Sequence, residues 1–480
     1  MTERAVVREQ LDRSLSTVSL FALSFGTIIG VGWITVLGSW LSDAGALGAI
    51  IAFVVGGLIM LPIALCYAEI AGMYPVSGGE VAYVYQIYGE RMSFMAGWLL
   101  AYMYIAVTSF EAVAVGWVLS AMFPGIEGPV IYSFLGSDVT LWTLLIGIGL
   151  TALIAAINFF GAKSTSSFQL LFVGILVLAS LVFVVAGLSR AEPEYLQPLF
   201  VGDTFNAATI GVLAVVATTP FWFGGFDTIP QAMGEVSKDV DLGKIARVMV
   251  GSILISLIFY VAIILTASVS VERTTLLGFD LPIAGAAGAV FDGGFMRQVV
   301  LFAGLCGLLT TWNAMFYAGT RVMFSLGRAR MIPHGFAHIH PVHGSPSRAV
   351  IFVGVVGGLG ALMGRQAIDL ISGSSALVFA LLFALVTFGV LRLRDSQPDH
   401  PRPYRFPGGK PGLWLASAFS GLVLLIAAVA PLLSSGGAIP TEWLLLAGWA
   451  LLGLIFYVAA KPMRAEISAE EQRYLILNED

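Results

Sequence analysis

The chain is poor in charge and in cysteine. Only 11% of its 480 residues are Asp, Glu, Lys or Arg, too few to cover the surface of a water-soluble protein of this length. The two cysteines, Cys66 and Cys306, stand inside apolar stretches, where they are expected to pack as small side chains. These shortages exclude an ordinary soluble globular protein and give no support to a disulfide framework.

Histidine is also scarce, and its placement argues against metal chemistry. Four of the five histidines cluster in one segment rich in Pro and Gly, with no Cys, Asp or Glu beside them in the sequence. A metal site usually needs such partners, so we predict neither a metal nor a cofactor. The apolar stretches contain no histidine, which counts against a membrane enzyme that depends on one. The clustered residues are His334, His338, His340 and His343.

What the chain has instead is long apolar segments. Its hydrophobic fraction is 58% and its mean hydropathy is +0.91, which indicates an integral membrane protein. A helix needs about 20 apolar residues to cross about 30 Å of hydrocarbon, and segments of this kind recur along the sequence. We predict an all-α fold of twelve membrane-spanning helices, at residues 18–42, 45–72, 92–120, 139–160, 167–188, 208–236, 246–270, 299–326, 349–364, 368–391, 412–433 and 442–460.

The basic residues favour one orientation in the membrane. With the N-terminus inside, the cytoplasmic segments hold every Lys and Arg except Arg190, Arg273, Arg297 and Arg365. Basic residues concentrate on the cytoplasmic side, so both termini are expected to be cytoplasmic in a plasma (inner) membrane. The first 17 residues mix acids and bases, and we expect the first span to be uncleaved.

Two of the predicted spans are interrupted near their middles. The first contains Gly26, Gly30 and Gly32 within seven residues, and the sixth contains the sequence PFWFGGFDTIP at residues 220–230. Backbone that leaves the helix at membrane depth needs other partners for its N–H and C=O groups, because lipid offers none. Matching breaks in the two halves of a chain indicate the substrate site of a transporter.

A basic, Pro-rich segment, RLRDSQPDHPRPYRFPGGKP, divides the chain after the tenth span. Spans one to five and six to ten are two groups of five, and an odd number of spans makes the second group insert upside down relative to the first. We therefore predict an inverted repeat with two added helices. The predicted parts are a cytoplasmic tail 1–17, a transport core 18–391 with repeats 18–188 and 208–391, a cytoplasmic loop 392–411, added helices 412–460 and a cytoplasmic tail 461–480.

The first break is expected to present both kinds of helix end. Unpaired N–H groups of Val31, Gly32 and Trp33 would begin the outer half-helix, where the helix dipole favours a carboxylate. Free carbonyl groups near Thr27 and Ile28 would end the inner half-helix and suit an ammonium group. An α-amino acid carries both groups. The competing interpretation is that the glycines only bring helices close together.

The break in the sixth span adds aromatic rings and an acid. The rings of Phe221, Trp222, Phe223 and Phe226 can cover a substrate or attract its cation, or some of them can face lipid and neighbouring helices. Asp227 stands where a carboxylate is costly, which makes it a candidate proton site. Its structural alternative is to cap the freed N–H groups of the inner half-helix.

Further polar residues stand within other spans. Glu111 in the third span can bind a cationic group of a substrate or a second proton, or it can pair with a buried polar group or face a water-filled vestibule. Thr310 and Thr311 in the eighth span can hold Na⁺ with carbonyl oxygens of the first span, or bond back to their own helix. Glu69 and Glu235, at the cytoplasmic ends of the second and sixth spans, are expected to pair with basic loop residues.

Short motifs also follow one another along the chain in a particular order. They are Gly26-x-x-x-Gly30-x-Gly32, Tyr67-Ala68-Glu69-Ile70, Pro75-Val76-Ser77-Gly78-Gly79, Asn158-Phe159-Phe160-Gly161-Ala162-Lys163, Phe223-Gly224-Gly225-Phe226-Asp227 with Glu235, and Thr320-Arg321-Val322 with Arg328 to Pro333. In this order and on these spans the chain resembles the amino acid–polyamine–organocation superfamily of transporters, over essentially its whole length.

The resemblance implies a five-plus-five inverted-repeat core, of the kind first described in a bacterial leucine transporter, that works by alternating access. By the same resemblance Gly30, Val31 and Gly32 lie at the substrate carboxylate. Phe221 takes the place of the aromatic gate, and Asp227 that of the acid after the break.

Two departures from the family pattern stand out. Relatives usually have Ser or Ala between the glycines and Phe or Ile after them, whereas this chain has Val31 and Trp33. Many proton-coupled relatives carry a Lys within the fifth span, where this chain has no basic residue. Proton coupling, if present, must then use Asp227, Glu111 or another group.

The sequence therefore predicts a secondary active transporter, a symporter or exchanger of amino acids or small amines, and not an enzyme. Its expected partners are the small-molecule substrate, the lipid bilayer and H⁺, Na⁺ or a counter-substrate, with no nucleic acid. Glu111 and Asp227 favour a substrate with a positive group. The expected substrate-binding residues are Thr27, Ile28, Gly30, Val31, Gly32, Glu111, Phe221, Phe223 and Gly224, with Asp227 and Glu111 as proton candidates and Thr310 and Thr311 as a sodium site.

Two alternatives remain open at this point. One is a transporter-like nutrient sensor, although the short tails offer no signalling domain. The other, within the transporter class, is a polyamine or organic-amine permease.

Overall fold

The structure is a computed structural model that describes residues 7–134, 136–291, 294–434 and 439–478. The first six residues of the predicted tail 1–17 and the last two of the predicted tail 461–480 lie outside this part of the chain. Within it, eleven helical segments are long and apolar enough to cross a membrane. They agree with the predicted helical membrane architecture.

The first predicted span is interrupted where its glycines stand. Helix α1 ends at Ile28 and the short helix α2 begins at Gly32, so residues 29–31 leave the helix. Gly45 has a φ of 77°, a left-handed value that favours glycine, and it separates the end of this span from the second one. The bounds are α1 (Thr17–Ile28), α2 (Gly32–Thr35) and α3 (Leu37–Met73).

One hairpin departs from the all-α prediction. It lies between α5 and α6, where Val130 pairs with Thr140 across two antiparallel strands. Most of the strand residues are exposed, so no apolar alternation marks them in the sequence. The bounds are α4 (Glu80–Tyr88), α5 (Glu90–Met122), β1 (Val130–Phe134), β2 (Ser137–Thr140), α6 (Leu141–Phe159) and α7 (Ala162–Leu188).

The sixth predicted span is interrupted as well. Helix α8 ends at Phe223 and α9 begins at Thr228, which leaves residues 224–227 outside both helices. A 3₁₀ turn, Met233–Glu235, follows α9. The bounds are α8 (Phe205–Phe223), α9 (Thr228–Ala232), α10 (Ile245–Ser270), α11 (Arg273–Gly278), α12 (Pro282–Val290) and α13 (Gly294–Arg328).

The ninth predicted span, 349–364, is the shortest in the structure too. Helix α14 has 13 residues and continues as a 3₁₀ turn, Gly360–Met363. This apolar segment is shorter than the eleven membrane-length ones. The remaining bounds are α14 (Ser347–Leu359), α15 (Ala367–Ser396), α16 (Gly409–Ser434), α17 (Thr441–Ala459), α18 (Lys461–Ala465) and α19 (Ala469–Leu477).

Helix α13 lies at the centre of the bundle. It packs against α5, α7 and α1, and most of its residues are buried, including polar ones. Little of helices α6 and α17 is buried although both are strongly apolar, as expected of surfaces that face lipid. The polar interior and the apolar exterior place the chemistry of this protein beside α13.

Both ends of the described chain meet at one end of the bundle, which we call the terminal face. The Arg8 guanidinium donates to the Leu475 carbonyl in α19 at 3.1 Å. Just before α1, the N–H of Leu15 donates to the Glu235 carbonyl, and its own carbonyl accepts from the Ser237 N–H, both at 2.9 Å. The start of the first span is thereby tied to the residues that follow α9.

Candidate substrate site

The first break leaves backbone donors free. Among the described residues, the N–H groups of residues 30–33 have no hydrogen-bond acceptor. The Val31 carbonyl, in contrast, already accepts from the N–H of Ile34 at 3.0 Å and begins the next helical turn. A group of free donors at the start of a helix favours an anion. Free donors are therefore present at the position where the sequence predicts a carboxylate site.

The glycines of this break are required by close neighbours. A Cβ atom on Gly32 would lie 2.1 Å from the Trp222 ring, and one on Gly30 would lie 2.7 Å from the Thr311 hydroxyl oxygen. Both distances are far below van der Waals contact. Side chains of the sixth and eighth spans therefore reach the backbone of the first break only because it carries no side chain there.

The second break is closed by its own side chains. The Asp227 carboxylate accepts from the Gly225 N–H at 2.8 Å and from the Tyr104 hydroxyl at 2.6 Å. The Thr228 hydroxyl donates to the Gly225 carbonyl at 2.6 Å. Gly225 has a φ of 138°, which a residue with a side chain rarely adopts. Asp227 therefore bonds to the backbone of the break itself and forms no side-chain cap on the N–H groups of the inner half-helix α9, which was the structural role expected from the sequence.

One tyrosine connects the two breaks. The Tyr260 hydroxyl in α10 lies 2.8 Å from the Ile28 carbonyl oxygen and 3.3 Å from the Trp222 carbonyl oxygen. On the other side of the first break, the Thr311 hydroxyl lies 3.1 Å and 3.2 Å from the carbonyl oxygens of Gly26 and Thr27. Side-chain hydroxyls therefore donate hydrogen bonds to the carbonyl oxygens at the end of α1. Each of these carbonyl oxygens keeps a second lone pair that can accept from a ligand.

A cavity lies between the two breaks. Its walls combine backbone of the first break, aromatic rings of the sixth span and apolar side chains of α5, α13 and α15. The space that water-sized molecules can reach is about 30 Å³, enough for one or two waters, so a substrate must displace its walls. The lining residues are Thr27, Ile28, Gly30, Val31, Gly32, Val107, Phe110, Glu111, Phe221, Trp222, Gly224, Thr311, Met315 and Phe379.

Most of the predicted site residues meet at this cavity, and three do not. Phe223 packs away from it against Phe53 and Tyr260, with ring centroids 6.0 Å and 5.7 Å away. The Thr310 hydroxyl bonds back to its own helix at the Gly307 carbonyl, 2.8 Å away. Asp227 is likewise absent from the cavity wall, and its carboxylate bonds to Gly225 and Tyr104.

Sequence reasoning missed several wall residues. Trp222 was expected only as one of several covering rings, yet it packs directly over Gly32 and against Trp40, with ring centroids 5.4 Å apart. Phe379 and Met315 belong to spans that carry no break. A polar ring in the apolar seventh span, Tyr260, is the one feature that could have indicated a partner for the broken helices.

Glu111 is the acid of the cavity wall. Its side chain is only 2% exposed, and its Oε2 atom has no hydrogen-bond partner among the described residues. The surrounding wall is apolar, with Phe110 and Val107 on the same helix. A buried acid without a partner either carries a proton or waits for a cationic group.

The chain matches a known family over almost its whole length. Residues 15–456 fit the family model of the amino acid permeases. The chain belongs to this amino acid permease family. The resemblance stated from the motifs is thereby confirmed, and the protein is a multi-pass membrane permease, not an enzyme.

Individual relatives are similar at moderate identity. The chain is 29% identical to the branched-chain amino acid permease BcaP of Bacillus subtilis, over 94% of this chain and 93% of the relative. It is 26% identical to a methylthioribose transporter of the same organism, over 83% of this chain and 85% of the relative. The glutamate/serine transporter AimA of Bacillus subtilis is 26% identical, over 86% and 77%. Similar permeases therefore carry quite different cargo.

At the terminal face the permease buries ion pairs of Glu69 and Glu235, although the partner of Glu235, Arg321, lies within helix α13 and not in a loop as the sequence predicted. The Arg321 guanidinium lies 2.7 Å from the Glu235 carboxylate, and both side chains are almost fully buried. Glu69 pairs with Arg394 at 2.6 Å and with Arg402 at 3.0 Å. Because removing one partner would leave a buried charge alone, these pairs hold the helices together at this face.

The histidines of the permease lie at the same face. The sequence did not indicate an acidic partner for any histidine, yet His334 lies 3.2 Å from Glu9 of the N-terminal segment. His338 contacts the Ser347 hydroxyl at 2.9 Å, and His340 and His343 stack at 4.7 Å. The described residues contain no group of three or more His, Cys, Asp or Glu that could hold a metal ion.

Proposed function

We propose that the permease is a secondary active transporter that carries an α-amino acid across the plasma membrane. The observation that supports this most is the set of free N–H groups at residues 30–33, which opens on a cavity beside the carbonyl end of α1. The donors suit the α-carboxylate and the carbonyl oxygens near Thr27 and Ile28 suit the α-ammonium group. Relatives named as amino acid permeases support the same cargo.

We propose twelve spans with both termini cytoplasmic, so that the terminal face is the cytoplasmic side. The first ten spans would form two inverted repeats, at 18–188 and 208–391, with the segment Ser347–Met363 as the short ninth span. The two breaks support this arrangement because each interrupts the first span of a repeat. Transport would proceed by alternating access to the cavity from the two sides.

Two kinds of side chain are candidates for the substrate. The wall formed by Val107, Met315 and Phe379 is apolar, which favours an apolar side chain such as a branched one. Glu111 favours a cationic side group, or an organic amine, because its buried carboxyl group has an oxygen without a partner. The two candidates compete for the same site, and uptake measured with both decides between them.

For coupling, we propose a proton or a counter-substrate before sodium. The Thr311 hydroxyl already donates to the carbonyl oxygens of Gly26 and Thr27, and Thr310 bonds back to its own helix. A sodium ion would have to displace these hydrogen bonds. Asp227 and Glu111 stay the proton candidates of the site, although the hydrogen bonds of Asp227 to Gly225 and Tyr104 favour a structural role.

The decisive experiment uses purified protein in proteoliposomes. Labelled leucine, arginine and a diamine are offered in turn under a proton gradient, under a sodium gradient and with unlabelled substrate inside. We expect accumulation or exchange of at least one amino acid above the level of protein-free liposomes. Absence of flux for every compound under all three conditions would reject the proposal.

Replacing Glu111 by Gln separates the two kinds of substrate. If its carboxylate binds a cationic side group, the uptake of arginine relative to leucine falls by about tenfold or more, the loss of a charged hydrogen bond being about 1.5–3 kcal/mol. The exposed Glu470 offers a control, since Glu470→Gln should leave the ratio unchanged. An unchanged ratio in E111Q would reject a cationic substrate group at Glu111.

A further inference from the structure

A second polar cluster lies between the cavity and the terminal face. Its centre is Glu80, the first residue of α4, whose side chain is fully buried although α4 lies outside the membrane-length helices. The Gln231 side-chain amide in α9 donates to Glu80 Oε2. The other carboxyl oxygen has no hydrogen-bond partner among the described residues. Sequence reasoning gave Glu80 no role.

The groups that face Glu80 are polar but not cationic. Asp227 is close enough for its charge to act on Glu80, and the Tyr67 hydroxyl faces Glu80 without reaching hydrogen-bond geometry. The hydroxyl groups of Tyr67 and Tyr83 and the amide oxygen of Gln231 are buried and unpartnered in the described structure. Two buried carboxyl groups without a cation between them are costly if both are ionised.

The charged groups on the surrounding helices are engaged elsewhere. None of the ion pairs of the described residues includes Glu80. On α13, Arg321 pairs with Glu235, and Arg328 donates to the Glu9 and Ser77 carbonyls. On the other helices that pack around α4, Arg392 of α15 lies over the Tyr88 ring, Glu90 of α5 pairs with Arg464, and Arg473 of α19 lies near Tyr85.

The turn before α4 seals this cluster. We call the contact of residues 77–79 with α9, α13 and Gly234 the seam. A Cβ atom on Gly79 would lie 2.6 Å from Pro230, and one on Gly78 would lie 2.2 Å from Ser325. A Cβ atom on Gly234 would lie 2.0 Å from the Ser77 hydroxyl oxygen. Glu80 is therefore shielded from water on the side where this turn meets α9, α13 and Gly234.

We propose that Glu80 binds one proton while the seam is closed and releases it to the cytoplasm when the seam opens. This inference rests on the transport function and the topology proposed above, in which the terminal face is the cytoplasmic side. The proton is held on Oε1 of the Glu80 carboxyl group, while Oε2 accepts the hydrogen bond from the Gln231 side-chain amide. On opening it passes to water, and the ionised carboxylate is hydrated.

The direction of the pH effect follows from the two environments of Glu80. Burial, with the charge of Asp227 as the second cause, raises the pKa of Glu80 to about 8 from an ordinary 4.5. In the open seam the pKa returns toward its ordinary value. Between these two values the closed form holds a proton that the open form lacks, so rising pH favours opening, by up to about tenfold per pH unit. Above and below this window the effect is lost.

The test follows the seam directly, without transport. Spin labels at the exposed positions Lys238 and Arg91 report the distance across the terminal face in purified protein with Cys66 and Cys306 replaced. We expect the open population of the otherwise unchanged protein to rise from about pH 6 to about pH 8. Glu80→Gln, which mimics the protonated acid, should stay closed throughout, and Glu470→Gln should follow the unchanged protein.

Two results would overturn the proposal. One is an open population that does not depend on pH in the protein with Glu80 intact. The other is a pH dependence that persists in E80Q, which would assign the titration to Asp227 or Glu111. Counterflow of labelled amino acid, measured on the same samples, separates the role of Glu80 from the transport function. If the protein transports but the open population of the seam does not depend on pH, only the role of Glu80 is rejected. A pH-dependent seam without flux rejects only the transport function.

A second measurement covers the case in which E80Q does not fold. The infrared spectrum of the wild type should show a protonated-carboxyl band that disappears between about pH 6 and about pH 9 and is shifted in Glu80→Asp. A spectrum without such a band, or a band that the Asp variant leaves in place, would reject the proposal.

Discussion

The two helix breaks of this permease differ in whether their freed backbone groups have hydrogen-bond partners. At the first break, the N–H groups of residues 30–33 have no acceptor in the described chain and lie beside the cavity. At the second, Asp227 and Thr228 satisfy both the N–H and the C=O of Gly225. We therefore propose a division of labour, in which the first break binds the ligand and the second is a self-contained turn that shapes the cavity wall.

The largest effect is expected at the first break. Gly32→Val would drive a side chain into the Trp222 ring, which cannot swing aside freely because Trp40 and Phe221 pack against it. Displacing the donors or the wall by about 1 Å can cost about 100-fold in rate, and we expect uptake in proteoliposomes to fall at least that far. The protein should still elute as a folded monodisperse species.

Gly149→Val is the matched control for this variant. Gly149 lies on α6 with open space around it, so uptake should be unchanged. Wild-type uptake in G32V would show that the first break is not the binding surface, and the comparison between the two breaks would fail.

At the second break the effect should appear in stability. Asp227→Ala leaves the Gly225 N–H and the Tyr104 hydroxyl buried without their acceptor, and each such loss costs about 1–3 kcal/mol. We expect a clear drop in the melting temperature in detergent. Asp227→Asn retains an acceptor and should lose much less, and Asp239→Ala, at an exposed site in the segment that follows α9, should lose nothing.

The Asn variant also tests the alternative role of Asp227. If D227N melts like the wild type but no longer responds to pH in uptake assays, Asp227 is a proton carrier. The two breaks would then both be functional, and the division of labour proposed here would be wrong.

The smallest effect is expected from the residue that joins the breaks. Tyr260→Phe removes a hydroxyl that lies 2.8 Å from the Ile28 carbonyl oxygen, worth about 1 kcal/mol, or about a fivefold rise in the half-saturating substrate concentration. Tyr132→Phe removes a hydroxyl from an exposed carbonyl contact and should change nothing. A Y260F variant with unchanged affinity would indicate that the two breaks act independently.

The sequence was sufficient to predict the position of both breaks. Residues 29–31 and 224–227 lie inside the predicted interruptions because glycine within an apolar span is local information. The boundary between the first two spans was predicted equally well and coincides with the left-handed Gly45. The β1–β2 hairpin was not predicted, since its exposed residues carry no apolar period.

Some of the residues that line the cavity could be predicted from the sequence, and others could not. The backbone of the first break and Phe221 were expected there, and Glu111 as well, whereas Phe379 and Met315 come from spans with no unusual residue. Their place depends on how distant helices pack, which no local pattern records. The same limit explains Glu80, which directly follows a short motif but acquires buried neighbours from distant parts of the chain, among them α3 and α9.

The short ladder at Leu15 has a mechanical consequence. It joins the chain ahead of α1 to the chain behind α9 through backbone bonds on both sides of Leu15. We expect these bonds to make α1 and α9 move together about the two breaks. The distance between two labels at residues 15 and 236 should therefore be the same in every conformation. It can serve as the reference distance for measuring the movement of other helices.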